Sequence, residues 1–531
     1  MDPAKKAENV STIHSLFIGS VSACFELEND LPYYAEKAYT VFLNGAAQFQ
    51  TDRNVFSVFG LRPGRDYTVS VSGMAEPLRF RTEAESCCLN VRELGAAGDG
   101  VRDDTAAFRN AIACLPDFGR LYVPAGSYLL SPLWLKSRMT LELAEGAVLL
   151  GSVQPGDYPV LPGELTDPVT GEVRQLGSWE GCSRPVRQAL LSAAYAEDIA
   201  VVGQGIVDGN GPSGPWWSPA FLERSEVARP KLIEFIGCRN VTLHGVTARN
   251  SPAWHIHPYF SRRVGVYDIR VEAPRFSPNT DALDPEACDG VEIVGCRFSV
   301  GDDCIAVKAC KLELAKRYKA PAAHTVIRNC RMEYGHGAVT LGSEMACGVK
   351  ELSVSRCVFD HTERGLRIKT RRGRGKDAQV DGLRFESIRM EHVDTPIVIN
   401  MWYNCCDPDR HSEYVRSREA LPVDERTPRL GVFRFRDMVC TDCRIAGCWC
   451  DGLPEAPIEE ITLENMVFTF DPDAKPGKPA CADHLEDMCR AGLVFDNVGK
   501  LTLRNVRVEG CDGEAVRAAH TGEIVRENVR I

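Results

Sequence analysis

Residues 290–309 read GVEIVGCRFSVGDDCIAVKA: short β-branched runs, VEIV, RFSV and CIAV, broken by glycine and by a pair of aspartates. The same layout returns in LIEFIGCRNVTLHGVTARNS (232–251), HTVIRNCRMEYGHGAVTLGS (324–343), VKELSVSRCVFDHTERGLRIKT (349–370) and VDGLRFESIRMEHVDTPIVIN (380–400). Each unit carries two or three strand-length runs in about 20 to 30 residues, and a Cys, Ser or Asn recurs near the same turn. A unit this short has no room for a helix, and a propeller blade needs about 40 residues with four strands. The pattern therefore predicts an all-β chain of stacked coils of parallel strands, a parallel β-helix, with function along the outside of one face.

Upstream of the repeats, VRELGAAGDGVRDDTAAFRNAIACL (91–115) is a Gly-rich turn leading into a helix, with Asp103 or Asp104 placed to cap it and the helix placed to close the end of the solenoid. Its glycines fit neither dinucleotide-binding nor P-loop spacing, so phosphate binding is not expected. Further upstream, residues 11–82 alternate strand-like runs and turns, among them YTVFLNG (39–45) and GLRPGRDYTVSVSG (60–73). This spacing predicts a small antiparallel sandwich. The second run resembles the late strands of a fibronectin type III domain, with Leu61 and Tyr67 as core anchors. With 83–89 as linker, the expected division is a fibronectin type III-like β-sandwich over residues 1–85 and a β-helix over 86–531.

A length of 531 residues suits an elongated solenoid with a small extra domain, and 44% hydrophobic with 25% charged residues is ordinary for a chain with a substantial core. The net charge of -11 supplies no basic excess to release counterions, so nucleic acid is not an expected partner. No apolar run is long enough to suggest a membrane span. The first residues, MDPAKKAENV, lead on without a signal-like apolar stretch, and the chain as given reads as cytoplasmic. Its 22 cysteines are scattered through strand-like segments and are read as reduced core thiols. Cys440, Cys443, Cys448 and Cys450 have a spacing that zinc could use, but they sit at apolar strand positions and are also read as buried thiols.

The chemistry concentrates in SPNTDALD (277–284), VGDDCIAVK (300–308), GHG (335–337) and RIK (367–369). Asp281 and Asp302 are 21 positions apart, about one coil, and should project from adjacent rungs roughly 4.8 Å apart. Asp302 and Asp303 can face one cleft only at a bend, which Gly301 permits. Clustered carboxylates raise at least one carboxyl pKa and keep one acid protonated, which supplies a proton donor beside a base. Arg367 and Lys369, two apart in a strand, point to the same side and form a two-pronged receptor for a carboxylate such as a uronate.

These four segments resemble, in order, the N-T-D, G-D-D, G-H-G and R-I-K signatures of glycoside hydrolase family 28, the polygalacturonases. Weaker likeness extends over 91–403 and includes GQGIVDGNGPSGPWW (203–217) and NSPAWHIHP (250–258). The departure is Ala282 and Leu283 after N-T-D. The resemblance implies a right-handed β-helix and hydrolysis of α-1,4-galacturonosidic bonds in pectic poly- or oligosaccharides with inversion. It requires no cofactor and no metal. By position, Asp302 is the general acid, Asp281 and Asp303 hold and activate water, and His336 tunes the acid. Arg367 and Lys369 grip the sugar carboxylate, and Tyr403, in INMWYN (399–404), contacts substrate. Asn279 is a turn residue or a sugar contact, while His255 and His257, beside Trp254, are subsite or structural histidines.

The sandwich resembles that of bacterial exo-acting members, and the stretches 158–185 and 404–429 could wall off an open cleft, so exo action is expected. The alternatives are a hydrolase of decorated pectin (rhamnogalacturonan or xylogalacturonan), a lyase, which the G-D-D and G-H-G pattern opposes, and a catalytically silent carbohydrate-binding β-helix. The last has no need of three clustered acids.

Overall fold

The computed structural model describes residues 12–405, 412–483 and 485–531. Strands Ile13–Ile18, Ser22–Leu27 and Val55–Phe59 form one antiparallel sheet. A second runs in the order Ala46–Arg53, Tyr34–Leu43, Asp66–Val71, Leu78–Arg81. Phe25, Val41, Phe56, Leu61, Val69 and Phe80 fill the space between the two sheets. Of the two expected anchors, Leu61 is buried, whereas Tyr67 is partly buried, stacks on Phe80 and accepts a hydrogen bond at its hydroxyl from the Arg62 amide, 2.9 Å.

From Cys88–Asn90 onward the chain winds into a right-handed parallel β-helix, each strand pairing with its equivalent in the next coil. The coils share a single apolar core running from Val91 to Val516. The sandwich lies against the side of this solenoid. Asp268 accepts from Arg53 and Ser57 at 2.7 and 2.6 Å, Glu26 takes Arg328 and Arg356 at 2.9 and 2.8 Å, and the buried His244 ring lies between Ser22 and Ser57.

Helix Thr105–Cys114 packs Phe108, Ala111 and Ile112 onto the first coil and closes that end. Asp104 occupies the cap position, but its carboxylate accepts from the Ala97 and Gly98 amides at 2.6 and 2.8 Å. Asp103 serves the Thr105 amide at 2.9 Å. The Gly-rich turn is thus held by the acid expected to cap the helix, because two amides of a tight turn are as much in need of an acceptor as a helix end.

The recurring Cys, Ser and Asn mark corners. Ser261 donates to the Phe235 carbonyl at 2.9 Å, and Cys288 and Cys296 donate to carbonyls of Pro258 and Val266 at 3.2 and 3.4 Å. At a second corner Asn465, Asn505 and Asn528 adopt left-handed backbone and chain their amides at 2.9 and 2.8 Å. A left-handed residue turns the chain sharply, and Asn tolerates it better than most side chains. Cys440, Cys443, Cys448 and Cys450 lie in the core, where burial pushes the Cys443 and Cys448 thiols well up.

One face matters for chemistry. Its strands are Ile256–Tyr259, Ile305–Val307, Val339–Gly342, Arg364–Lys369 and Thr395–Asn400, joined across Leu283 by single bridges.

Candidate active site

The rungs of this face place its residues in columns. Leu283 pairs with Ile305, Ile305 with Val339 and Val339 with Leu366, so Asp281, Asp303, Gly337 and Arg364, each two residues earlier, fall in line. Amide bonds from Ala282 to Asp303, Cys304 to Gly337 and Ala338 to Arg364 hold that register. The rung partner of Asp281 is therefore Asp303, where the spacing had suggested Asp302. Asp302 sits one residue earlier, on the bend, with its carboxylate accepting from the Asp303 amide at 2.9 Å. One carboxylate oxygen from each of the three acids lies within 4.8 Å of the others.

Gly301 makes the bend, and a Cβ there would come within 2.5 Å of the Ser277 carbonyl and 2.8 Å of that of Pro274. Its lack of a side chain therefore also lets the loop that carries Asn279 and Asp281 pack down. Gly337 has a different use. A Cβ there would meet Thr340 Oγ1 at 2.3 Å, Asp303 Oδ1 at 3.0 Å and Arg367 Cβ at 3.3 Å, so the glycine leaves room for Thr340 and for Arg367 to reach across one coil.

Arg367 and Lys369 each donate to Asp303 at 2.9 Å, one to each oxygen. The two cations do point to the same side, and in the free protein they hold an acid of the chain itself. A Lys ammonium carries three N–H donors and an Arg guanidinium five, so holding Asp303 exhausts neither. Tyr403 stands beside them, its ring 5.8 Å from the Lys369 ammonium.

The three acids are pushed apart electrostatically. Burial and the neighbouring Asp284 and Asp302 hold the Asp281 carboxyl well above the usual range, with Lys308 opposing. Burial would raise Asp303 as well, but Lys369 and Arg367 overwhelm it and hold it far below. For Asp302, burial is outweighed by the hydrogen bond to His336, and the group lies below its ordinary value. That bond, Nδ1 to Oδ1 at 3.3 Å, raises His336 in turn. In the free site Asp281 is thus the acid pushed up and Asp302 and Asp303 are the acids pushed down. Asp302 is nevertheless the most exposed of the three: its side chain is 20% exposed, against 6% for Asp281 and 0% for Asp303.

His257 does not line a subsite. Its ring is fully buried, with Glu234 at 2.9 Å on one nitrogen and Glu286 at 3.1 Å on the other, and it stacks on Tyr259. His255 is buried too, with Nδ1 against the Asp281 carbonyl at 3.0 Å, and burial lowers its pKa to about 4. Asn279 adopts left-handed backbone, and its side-chain oxygen accepts from Arg229 at 2.6 Å.

Several residues of this centre were missed. Lys308, fully enclosed, lies 3.9 Å from Asp281, 3.3 Å from Asp284 and 3.5 Å from Glu344, with its ammonium over the Trp254 ring. Arg229 binds the carbonyls of Pro252 and Pro278 at 2.8 and 2.9 Å, and burial lowers its pKa to about 10. Lys308 and Asp284 stood inside quoted motifs without a role. Arg229 carried no local signal at all.

The stretch 158–187 folds into short antiparallel ribbons over this centre. Trp179 stacks on Trp254 with centroids 5.3 Å apart, and the Arg229 guanidinium lies over Trp179. Glu180 pairs with Lys311 at 3.6 Å. Of the second expected wall, 404–429, residues 406–411 lie outside the described residues. Helix Glu413–Arg416 and the residues after it are held by Arg372, which donates to the carbonyls of Tyr414, Ser417 and Glu419.

A parallel β-helix that gathers acids with pKa values pushed in opposite directions beside fixed cations on one face has the constitution of a glycoside hydrolase. Comparison with known proteins agrees. The profile of Glycosyl hydrolases family 28 matches residues 168–413, and that of Rhamnogalacturonase A/epimerase, pectate lyase-like, matches 88–153. A probable polygalacturonase of Vitis vinifera is 31% identical over 402 residues, covering 74% of this chain and 76% of that protein. The exo-poly-alpha-D-galacturonosidase of Dickeya chrysanthemi is 26% identical over 521 residues, covering 85% of this chain and 81% of that protein. Among solved structures, the family 28 exopolygalacturonase of Yersinia enterocolitica superposes with a TM-score of 0.64 at 20% identity, covering 98% of each chain. This chain belongs to glycosyl hydrolase family 28.

Proposed function

We propose that the chain hydrolyses α-1,4-galacturonosidic bonds of pectic poly- or oligosaccharides from a chain end, with inversion. The observation that carries this reading is the convergence of Asp281, Asp302 and Asp303 beside Arg367 and Lys369. Asp303, locked as an anion, and its rung partner Asp281 are placed to hold a water between them. Asp302, at the open edge, is placed to protonate the leaving oxygen. Substrate that expels water and brings its own carboxylate raises Asp302, so the proton kept by the cluster becomes available there. Arg367 and Lys369 use their remaining donors on the uronate, with Tyr403 beside it. Exo action is supported by the Trp179–Glu180 ribbon, which packs on Trp254 and pairs with Lys311 beside the acid cluster.

The carboxylate oxygens are closer together than in most inverting glycosidases, where about 6.5 to 9.5 Å separates the two groups. Product analysis is therefore a sharp test. On polygalacturonate, wild type is expected to release a single short product from the start, in the β-anomeric form by proton NMR. An early ladder of internal-cut products would end the exo assignment, and an α-anomer would end inversion. No reducing ends from wild type on a pectin panel, with binding retained, would favour the silent carbohydrate-binding alternative.

Lys369→Met tests recognition. Both free and methyl-esterified oligogalacturonides should lose kcat/KM, because Asp303 loses a partner. The free acid should lose further by a charge-assisted contact worth roughly 1.5 to 3 kcal/mol. Equal fractional losses would mean that Lys369 serves Asp303 alone.

Two broader assignments accompany this reading. The 3 + 4 strand order supports a fibronectin type III-like sandwich over residues 1–85, with the catalytic β-helix over 86–531; proteolytic cutting within strands of either part, and not near 83–87, would argue against it. Among the described residues no helix is long and apolar enough to cross a membrane. The 21 free cysteines among them support work in a reducing compartment such as the cytoplasm, which fractionation of the native protein would check.

A further inference from the structure

Beside Arg367 lies a chemical group that hydrolysis does not use. Strand Thr395–Asn400 runs on through Tyr403 to Cys405, and the segment around Cys481 is fastened along it. Asn400 Nδ2 and the Asn404 amide both donate to the Cys481 carbonyl, at 3.0 and 3.3 Å, and Tyr403 bridges to Ala482 in antiparallel fashion. Arg364 adds bonds to the Pro479 and Lys478 carbonyls at 3.0 and 3.2 Å. The Cys481 sulfur accepts from Arg367 at 3.9 Å, and the neighbouring Cys405 thiol also reaches Asn404 Oδ1 at 3.7 Å. Both sulfur-bearing residues are partly open to solvent.

Cys481 differs from the solitary thiols of the corners and core. Burial pushes Cys288 and Cys443 up, away from reactivity. At Cys481 the hydrogen bond from Cys405 outweighs burial, Arg367 and Arg364 add positive charge, and the thiol is brought down to about 5. A partly exposed thiolate among cations, with a second thiol in contact, has the constitution of a reactive cysteine with its resolving partner.

We propose that Cys481 and Cys405 are an oxidisable pair at the edge of the acid cluster, converted by a low-molecular-weight disulfide into an intramolecular disulfide that inactivates the enzyme. The Cys481 thiolate attacks one sulfur of RSSR and expels RS⁻, giving a mixed disulfide. Cys405 gives its proton to the expelled thiolate, and its sulfur then attacks the Cys481 sulfur, releasing a second RS⁻ that is protonated from solvent. The balance is two protein thiols and one RSSR giving one protein disulfide and two RSH. Inactivation follows from geometry. An S–S bond of about 2.05 Å draws the two segments closer than a sulfur hydrogen bond does, and Tyr403, two residues from Cys405, is carried with them. Arg367 also loses its thiolate neighbour.

The bond itself is independent of the hydrolase reading; only its effect on rate rests on it. Wild type, Cys405→Ser, Cys481→Ser and Cys406→Ser would be treated with oxidised glutathione, peptide-mapped without reduction, and assayed for reducing-end release before and after dithiothreitol. Wild type and Cys406→Ser should give a peptide linked through Cys405 and Cys481 and lose at least ten-fold in rate, with recovery on reduction. The rate of Cys481→Ser relative to its own untreated rate should not fall. At pH 6, iodoacetamide should alkylate Cys481 about ten-fold faster than N-acetylcysteine in the same tube. Nearly complete ionisation gives a few-hundred-fold advantage, and the lower nucleophilicity of a low-pKa sulfur removes most of it. Absence of the linked peptide under excess glutathione disulfide, or equal inactivation of Cys481→Ser, would overturn the proposal. A linked peptide in a protein without hydrolase activity would sink the hydrolase reading and leave the thiol pair standing.

Discussion

Asp302→Asn and Asp303→Asn are expected to be equally inactive but unequally stable. Both remove a carboxylate from the cluster, and turnover should fall by at least a thousand-fold in each, as for a group needed in the transition state. Asp302 stands at the open edge with His336, itself half-exposed, as its ionic neighbour, so its amide should leave the fold near wild-type stability. Asp303 is fully buried and neutralises both Arg367 and Lys369. Removing one member of a buried ion pair leaves an uncompensated charge and costs about 3 to 5 kcal/mol. Chemical denaturation with a shared activity assay separates the two. Equal stability would show that Arg367 and Lys369 find other partners and that Asp303 does not anchor them.

Asp281→Asn should abolish turnover and yet make the protein more stable, in a pH-dependent manner. An acid whose folded pKa is raised holds its proton more tightly in the native state than in the unfolded chain. Below the unfolded value, near 3.9, both states are protonated and no cost arises. As pH rises from there to the raised folded value, the unfolded chain releases its proton first, and the native state loses stability progressively. The amide carries no such penalty. The melting temperature of Asp281→Asn should match wild type near pH 4 and exceed it increasingly as the pH rises, until the raised folded value is passed. A gap that is constant with pH, or one that closes as pH rises, would refute a raised Asp281. The expectation is that of an active site held at the expense of stability.

The coils were legible because strand runs repeat at a length that leaves no room for anything else, and the acids because N-T-D and G-D-D stand one repeat apart. What escaped was geometry across coils. The register that pairs Asp281 with Asp303 depends on how tightly the bend at Gly301 is made, and no count of residues gives that. Arg367 and Lys369 were seen as a pair on one side of a strand, but that they face Asp303 depends on the missing side chain of Gly337, one coil away. His257 looked like a subsite residue because it neighbours Trp254; only burial shows it enclosed between Glu234 and Glu286. Arg229 could not be found, since its bonds are to backbone carbonyls distant in sequence.

The columns also bear on how such a centre can evolve. Asp281 to Asp303 is 22 residues and Asp303 to Gly337 is 34, yet each step is one rung. The longer step accommodates helix Leu312–Tyr318 outside the face without changing the interval between functional groups. The solenoid therefore works as a ruler: loops may lengthen and reshape the approach to the site, while the catalytic spacing changes only by whole graduations. Inserting one full coil between Asp303 and Gly337 would move Arg367 away by about 4.8 Å, enough to open both 2.9 Å contacts to Asp303. Variation in what enters the cleft is thus decoupled from the chemistry performed there.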